Sequence, residues 1–126
     1  MLVWITNDSL EDAGKIAKAL QESVAVKNGS GFGAILTFVN VKGENSDEFA
    51  KKLADFSTEN KLEKISVSYL GPEDRGVKIY KINTEADVEN TILVYTKKRV
   101  TAKFVNLKPE KEELAKLIAA INDIAP

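Results

Sequence analysis

The chain has 126 residues, 44% of them apolar, with 18 basic and 19 acidic side chains and neither cysteine nor histidine. That length supports one domain, residues 1–126, which buries roughly two-thirds of its unfolded surface and needs no disulfide staples. Without cysteine the chain cannot perform thiol–disulfide exchange, without histidine it cannot form a Ser-His-Asp relay, and a net charge of −1 gives little general attraction to phosphate backbones.

Leu2 to Thr6 is a short apolar run and predicts a first strand. Asn7-Asp8-Ser9 breaks it. Asp8 followed by Glu11, or Ser9 followed by Asp12, has the spacing of a cap at a helix start. Leu10, Ala13, Ala17, Leu20 and Val24 then recur at helical spacing and form one apolar stripe. Asn28-Gly29-Ser30-Gly31 ends that helix. The segment from Gly33 to Val41 is almost continuously apolar, which predicts an inner strand covered on both faces.

Gly43-Glu44-Asn45-Ser46 reads as a turn that caps a second helix, with Phe49, Leu53 and Phe56 on its buried face. Ile65 to Leu70 alternates and predicts a third strand. Pro72 suits a first helical position, and Arg75 to Ile82 is expected to be a short helix or irregular turn, with a strand as the alternative. Thr91–Tyr95 and Val100–Val105 predict two strands joined through Thr96-Lys97-Lys98-Arg99 as an antiparallel hairpin. Pro109 opens a last helix whose stripe is Leu114, Leu117, Ile118 and Ile121, with Glu110, Glu112 and Glu113 near its start, where the helix dipole favours acids.

The order is β-α-β-α-β-(α)-β-β-α. It predicts an α/β domain built on a mixed, mostly parallel central sheet of about five strands. Helices are expected on both faces, with a closing hairpin and a C-terminal helix. No apolar run reaches the length of a membrane span. No signal peptide is visible, and a strand that begins at Met1-Leu2-Val3 suggests a start inside a longer precursor.

Over nearly its whole length this order resembles the thioredoxin-like superfamily in its longer redoxin or peroxiredoxin-like arrangement. The most specific piece is Thr91 to Phe104, which looks like that family's hairpin; the chain is also similar to secreted bacterial redoxin-like proteins of unassigned function. The resemblance implies a Cys-x-x-Cys between the first strand and the following helix, where a helix N-terminus lowers a thiol pKa. Here that place reads Asn7-Asp8-Ser9-Leu10-Glu11-Asp12. It also implies a cis-proline before the hairpin, where this chain has Asn90, or Glu89 in a register shifted by one. Neither favours a cis peptide, which costs about 2.5–4 kcal/mol outside proline. Asp8, Ser9, Glu11 and Asn90 are thus the degenerate redox-site positions. Secreted or periplasmic residence follows from the resemblance if an export signal has been removed, and cytoplasmic residence otherwise.

Each candidate site has a plainer alternative. Asp8, Ser9, Glu11 and Asp12 could form a cation site or an acid–base pair, but a helix cap worth about 0.5–2 kcal/mol explains them too. Lys97, Lys98, Arg99 and Lys103, with Lys108 further on, could contact an acidic protein partner or phosphate groups; a charged turn also keeps a sheet edge soluble. The glycine-rich stretch Asn28 to Gly33 precedes a strand, whereas a phosphate loop must follow a strand and open a helix. Trp4 suits a core position or a surface anchor, and Tyr69, Tyr80 and Tyr95 suit part-buried sheet positions. Glu73, Asp74, Glu85, Asp87 and Glu89 match no Ca²⁺-loop spacing.

The resulting expectation is a redox-inactive thioredoxin-like domain that binds or supports other molecules, with no cofactor, no catalytic residue, no nucleic-acid partner and no membrane span. One alternative is a part of a larger redoxin-like oxidoreductase whose cysteines lie elsewhere. Another is a carboxylate enzyme using Mg²⁺ or Ca²⁺ through oxygen ligands.

Overall fold

The computed structural model describes residues 1–27, 32–97 and 99–124. Five strands and four helices follow in the order β1 (Leu2–Ile5), α1 (Leu10–Val26), β2 (Ile35–Val39), α2 (Ser46–Glu59), β3 (Ser66–Leu70), α3 (Arg75–Ile79), β4 (Asn90–Thr96), β5 (Arg99–Val105) and α4 (Lys111–Ile124). The strands form one open sheet in the order β3-β2-β1-β4-β5. The glycine-rich stop at 28–31 lies outside the described residues.

The sheet is mixed, but it is not mostly parallel. β1–β2 and β2–β3 are parallel, while β1–β4 and β4–β5 are antiparallel. The chain re-enters the sheet at the end where β3 stopped, so β4 runs against β1 and Asn90 sits opposite Ile5.

Alternation along each strand assigns its side chains to one of two faces. On the first face Val3, Ile5, Leu36, Phe38, Ile92 and Val94 pack into one core with Ile16 and Leu20 of α1, Phe49, Leu53 and Phe56 of α2, and Leu117 and Ile121 of α4. Each such side chain, fully buried, contributes about 1.5–3 kcal/mol. Phe38 and Phe56 meet edge to face at 5.1 Å. On the second face a small cluster of Trp4, Val39, Val77 and Ile82 forms under α3, joined by Leu2, Val41 and Leu70. Helices thus flank both faces, three on one and only the shortest on the other.

Residues 75–79 are helix, which settles the ambiguous segment. The buried inner strand reads as expected except at Ile35, whose side chain is exposed on the thinly covered face. Leu10 and Ile118 leave their expected stripes and are exposed, because Ile16 and Leu117 fill the positions nearest the sheet. Pro72 is not a first helical residue: Asp74 is the N-cap of α3 and accepts from the Gly76 amide at 2.9 Å. Tyr80 is not a sheet residue but the C-cap of α3, its ring 5.7 Å from that of Trp4. Among the described residues no helix is long and apolar enough to cross a membrane.

Candidate functional site

The segment between β1 and α1 stands at the carboxyl ends of the parallel strands, where open α/β sheets place their ligands. Ser9 caps α1: its hydroxyl accepts from the Asp12 amide at 3.1 Å. Of the two capping arrangements the sequence allows, the one from Ser9 to Asp12 forms. Glu11 turns outward to Lys15 at 3.6 Å, both exposed, so it does not join Asp8.

Asp8 faces the other way. Its Oδ2 accepts from Nδ2 of Asn90 at 2.9 Å. Asn90 has no solvent exposure, and its amide is fully engaged: Nδ2 also donates to the Leu107 carbonyl at 3.0 Å, and Oδ1 accepts from the Leu107 amide at 3.0 Å. The side chain thus completes a backbone-like pair with Leu107 and uses its remaining N–H on Asp8. Burial raises the Asp8 pKa above the usual carboxylate value, and the charges of Glu89 and Asp12 push it the same way. The Asn90 hydrogen bond and the Lys108 charge act against that shift.

Glu89 is held beside this pair. Its carboxylate accepts from the Lys108 ammonium, and that contact raises the lysine pKa. The Lys108 amide in turn donates to the Glu113 carboxylate at the start of α4. Lys108 therefore belongs to the Asp8 end of the sheet and not to the basic hairpin with which the sequence associates it. The described peptide bonds around this site, as elsewhere among the described residues, are all trans.

Two further asparagines, which the sequence does not single out, lock the approach to Asn90. Asn7 Nδ2 donates to the carbonyls of Glu85 and Val88, each at 2.8 Å. Asn106, at φ 58°, accepts from the Glu89 amide at 2.6 Å and donates to the Asp87 carbonyl at 2.9 Å. Asparagine tolerates the left-handed region better than most side chains, so its place just after β5 is the one local signal for this role. The Thr6 hydroxyl adds a bond to the Val88 carbonyl at 2.7 Å. Thr6, Asn7 and Asn106 thus hold segment 84–90 against the ends of β1 and β5.

Next to Asp8 a cleft of about 400 Å³ opens between α1 and α2. Its floor is apolar, with Ile5, Phe38, Phe49 and Leu53, and its rim carries Asp8, Lys42 and the Glu44–Lys52 pair at 3.4 Å. Among the described residues no group of three or more acidic side chains stands close enough to hold a metal ion. The Ser9 oxygen is occupied by the cap, and the nearest side chain to Asp8 is an amide rather than a base. The arrangement can bind and position; it supplies no nucleophile with a base to activate it.

The hairpin cations stand at the far end of the sheet. Lys97 occupies the turn at φ 50°, and Arg99 and Lys103 lie on β5 opposite Thr96 and Leu93. Lys98 lies outside the described residues. Trp4 is buried, as a core position requires, and its Nε1–H finds no hydrogen-bond partner among the described residues. Glu73 pairs with Lys78 at 3.1 Å, and the remaining loop acids do not converge.

These features define an α/β domain with a mixed five-stranded open sheet, four helices and an amide-sealed loop cluster at one end of the sheet. No protein-family model, curated protein or solved structure matches the chain.

Proposed function

We propose that this chain is a thioredoxin-like domain that has no redox chemistry and acts as a protein-binding module. The observation that carries the reading is the Asp8–Asn90 contact at 2.9 Å. It occupies the junction of β1, α1 and the hairpin, where the resemblance puts a thiol pair and its facing proline. A carboxylate and an amide there hold the loops together and have no sulfur to exchange. A β-α-β unit followed by an antiparallel hairpin and a closing helix on the same face also supports the reading. The thin cover over the second sheet face supports the binding role, since such a surface gains from a partner.

The test is turnover. Insulin disulfide reduction and peroxide consumption, each with an external reductant, are expected to stay at the rate of a heat-denatured control. Sustained turnover of either substrate refutes the reading. Thermal melting in excess Mg²⁺ or Ca²⁺ is expected to be unchanged. A saturable rise in Tm with either ion replaces the binding module with an oxygen-ligand metal site.

A further inference from the structure

We infer that the outer edge of β5, with the uncovered sheet face beside it, is a docking strip for an extended acidic peptide of another protein that adds to the sheet as a sixth strand. β5 is the last strand of the sheet and, among the described residues, pairs only with β4. It is seven residues long, and an edge of that length offers a row of unpaired backbone donors and acceptors. Of the devices that blunt such edges, β5 has charged side chains and an irregularity opposite Val94 and Tyr95, but no proline. Here α1, α2 and α4 all pack on the other face, and α3 covers only the cluster around Trp4.

Beside this edge Val105 and Val100 project from β5 on either side of Lys103, and Tyr95 from β4 next to Val100, a short apolar band exposed by 49%, 52% and 37%. The pairing register sets Tyr95 opposite Val100 and Lys103 opposite Leu93, so these residues share the face away from the three-helix core. A strand added at the edge would cover part of this band with every second side chain.

Charge selects the occupant. Arg99–Val105 contains no acid, and Lys97, Arg99 and Lys103 bring three cations to it. Among the described residues the ion pairs use Lys15, Lys52, Lys78 and Lys108, and none of these three. The net charge of the chain is −1, so this excess is local. A second copy docking through the same edge would bring the three cations of each chain together across a two-fold axis, which like-charge repulsion opposes. A strand carrying glutamate or aspartate between apolar residues meets both the charge and the band.

The inference rests on the reading of the chain as a binding module. The test uses the full chain, labelled with ¹⁵N, and a ten-residue synthetic peptide that alternates glutamate with valine and threonine. Amide shift changes are expected at Arg99–Val105 and Tyr95, with no change around Asp8. The lysine-for-glutamate version of the peptide is expected to leave the spectrum unchanged. Binding is expected to weaken by about tenfold or more in R99E/K103E, and to weaken with salt. The neutral pair R99Q/K103Q checks the same loss with less disturbance of the fold. Shifts confined to the Asp8 cleft, or equal binding by the lysine peptide, overturn the docking strip but leave the module reading intact. Concentration-dependent self-association through β5 assigns the strip to a second copy instead. Tighter binding of a single-stranded DNA oligomer at the same residues assigns it to nucleic acid. Turnover of a disulfide overturns the module reading itself.

Discussion

The carboxylate of Asp8 accepts a hydrogen bond from the side-chain amide of Asn90, which lies 82 positions away in the chain. The two come together because β4 pairs antiparallel with β1, so the first residue of β4 meets the end of β1. Asn90 is buried without exposure and also bonds both polar groups of Leu107. This one side chain joins β1, β4 and the entry to α4.

Asn90→Ala is expected to destabilise the fold by about 3 kcal/mol or more, since it strands the Leu107 N–H and C=O in a buried position and each orphan costs about 1–3 kcal/mol. Urea unfolding followed by circular dichroism measures the loss. A cost under about 1 kcal/mol means that water replaces the amide and that the junction is not closed.

Asp8→Asn and Asp8→Ala should part company. The amide variant keeps an acceptor for Asn90 Nδ2, while the alanine variant leaves that N–H without one and is expected to lose about 1–3 kcal/mol. The folded-state pKa of Asp8 is raised above the ordinary value of 3.8, chiefly by burial. A raised carboxyl pKa means that the folded state holds the proton more tightly than the unfolded state does. Its stabilising contribution is present below the unfolded pKa and is lost as pH rises through the folded one. Asp8→Asn lacks that loss, so it should match the wild-type chain in acid and become the more stable of the two as pH climbs above 3.8. Melting temperatures of both proteins across that range decide the sign.

Gly14 of α1 lies against Asn60, the C-cap of α2; a Cβ on Gly14 would stand 2.7 Å from Asn60 Oδ1. Alanine gains up to about 1 kcal/mol of helix propensity over glycine. The clash must move an amide that donates to the Phe56 carbonyl at 2.9 Å, so Gly14→Ala is expected to destabilise the native chain by about 1 kcal/mol. In an Asn60→Ser background the amide is gone, and the same substitution should become stabilising. A double-mutant cycle by chemical denaturation tests the change of sign.

Trp4→Phe removes an indole N–H that has no partner among the described residues. Relief of that orphan offsets part of the lost packing, and the cost should stay within about 1.5 kcal/mol. Trp4→Ala, by contrast, empties the space under α3 and is expected to cost about 3–5 kcal/mol. Circular dichroism is the measurement, since the only tryptophan is removed in both variants. A Trp4→Phe cost well above that bound would show that the indole nitrogen is hydrogen-bonded in solution.

The elements were legible in the sequence because their signals are local. The stripe of α2 places Phe49, Leu53 and Phe56 in the core, and Ser9 sits at the cap position that its spacing to Asp12 requires. Lys108 was not legible: it follows the basic hairpin closely in sequence but, past the end of β5, turns to Glu89 at the opposite end of the sheet. Asn7 and Asn106 were not legible either, because an asparagine that clamps a distant carbonyl has the same local pattern as one in any turn.

By itself the sequence determined which chemistry is absent and where the helices and strands lie. Those follow from residue types and from apolar spacing within about a dozen positions, both of which are read along the chain. Only the tertiary structure decided that β4 pairs antiparallel with β1, that one sheet face is thinly covered, and that Asp8 closes on Asn90. Each of these depends on contacts between residues far apart in the chain.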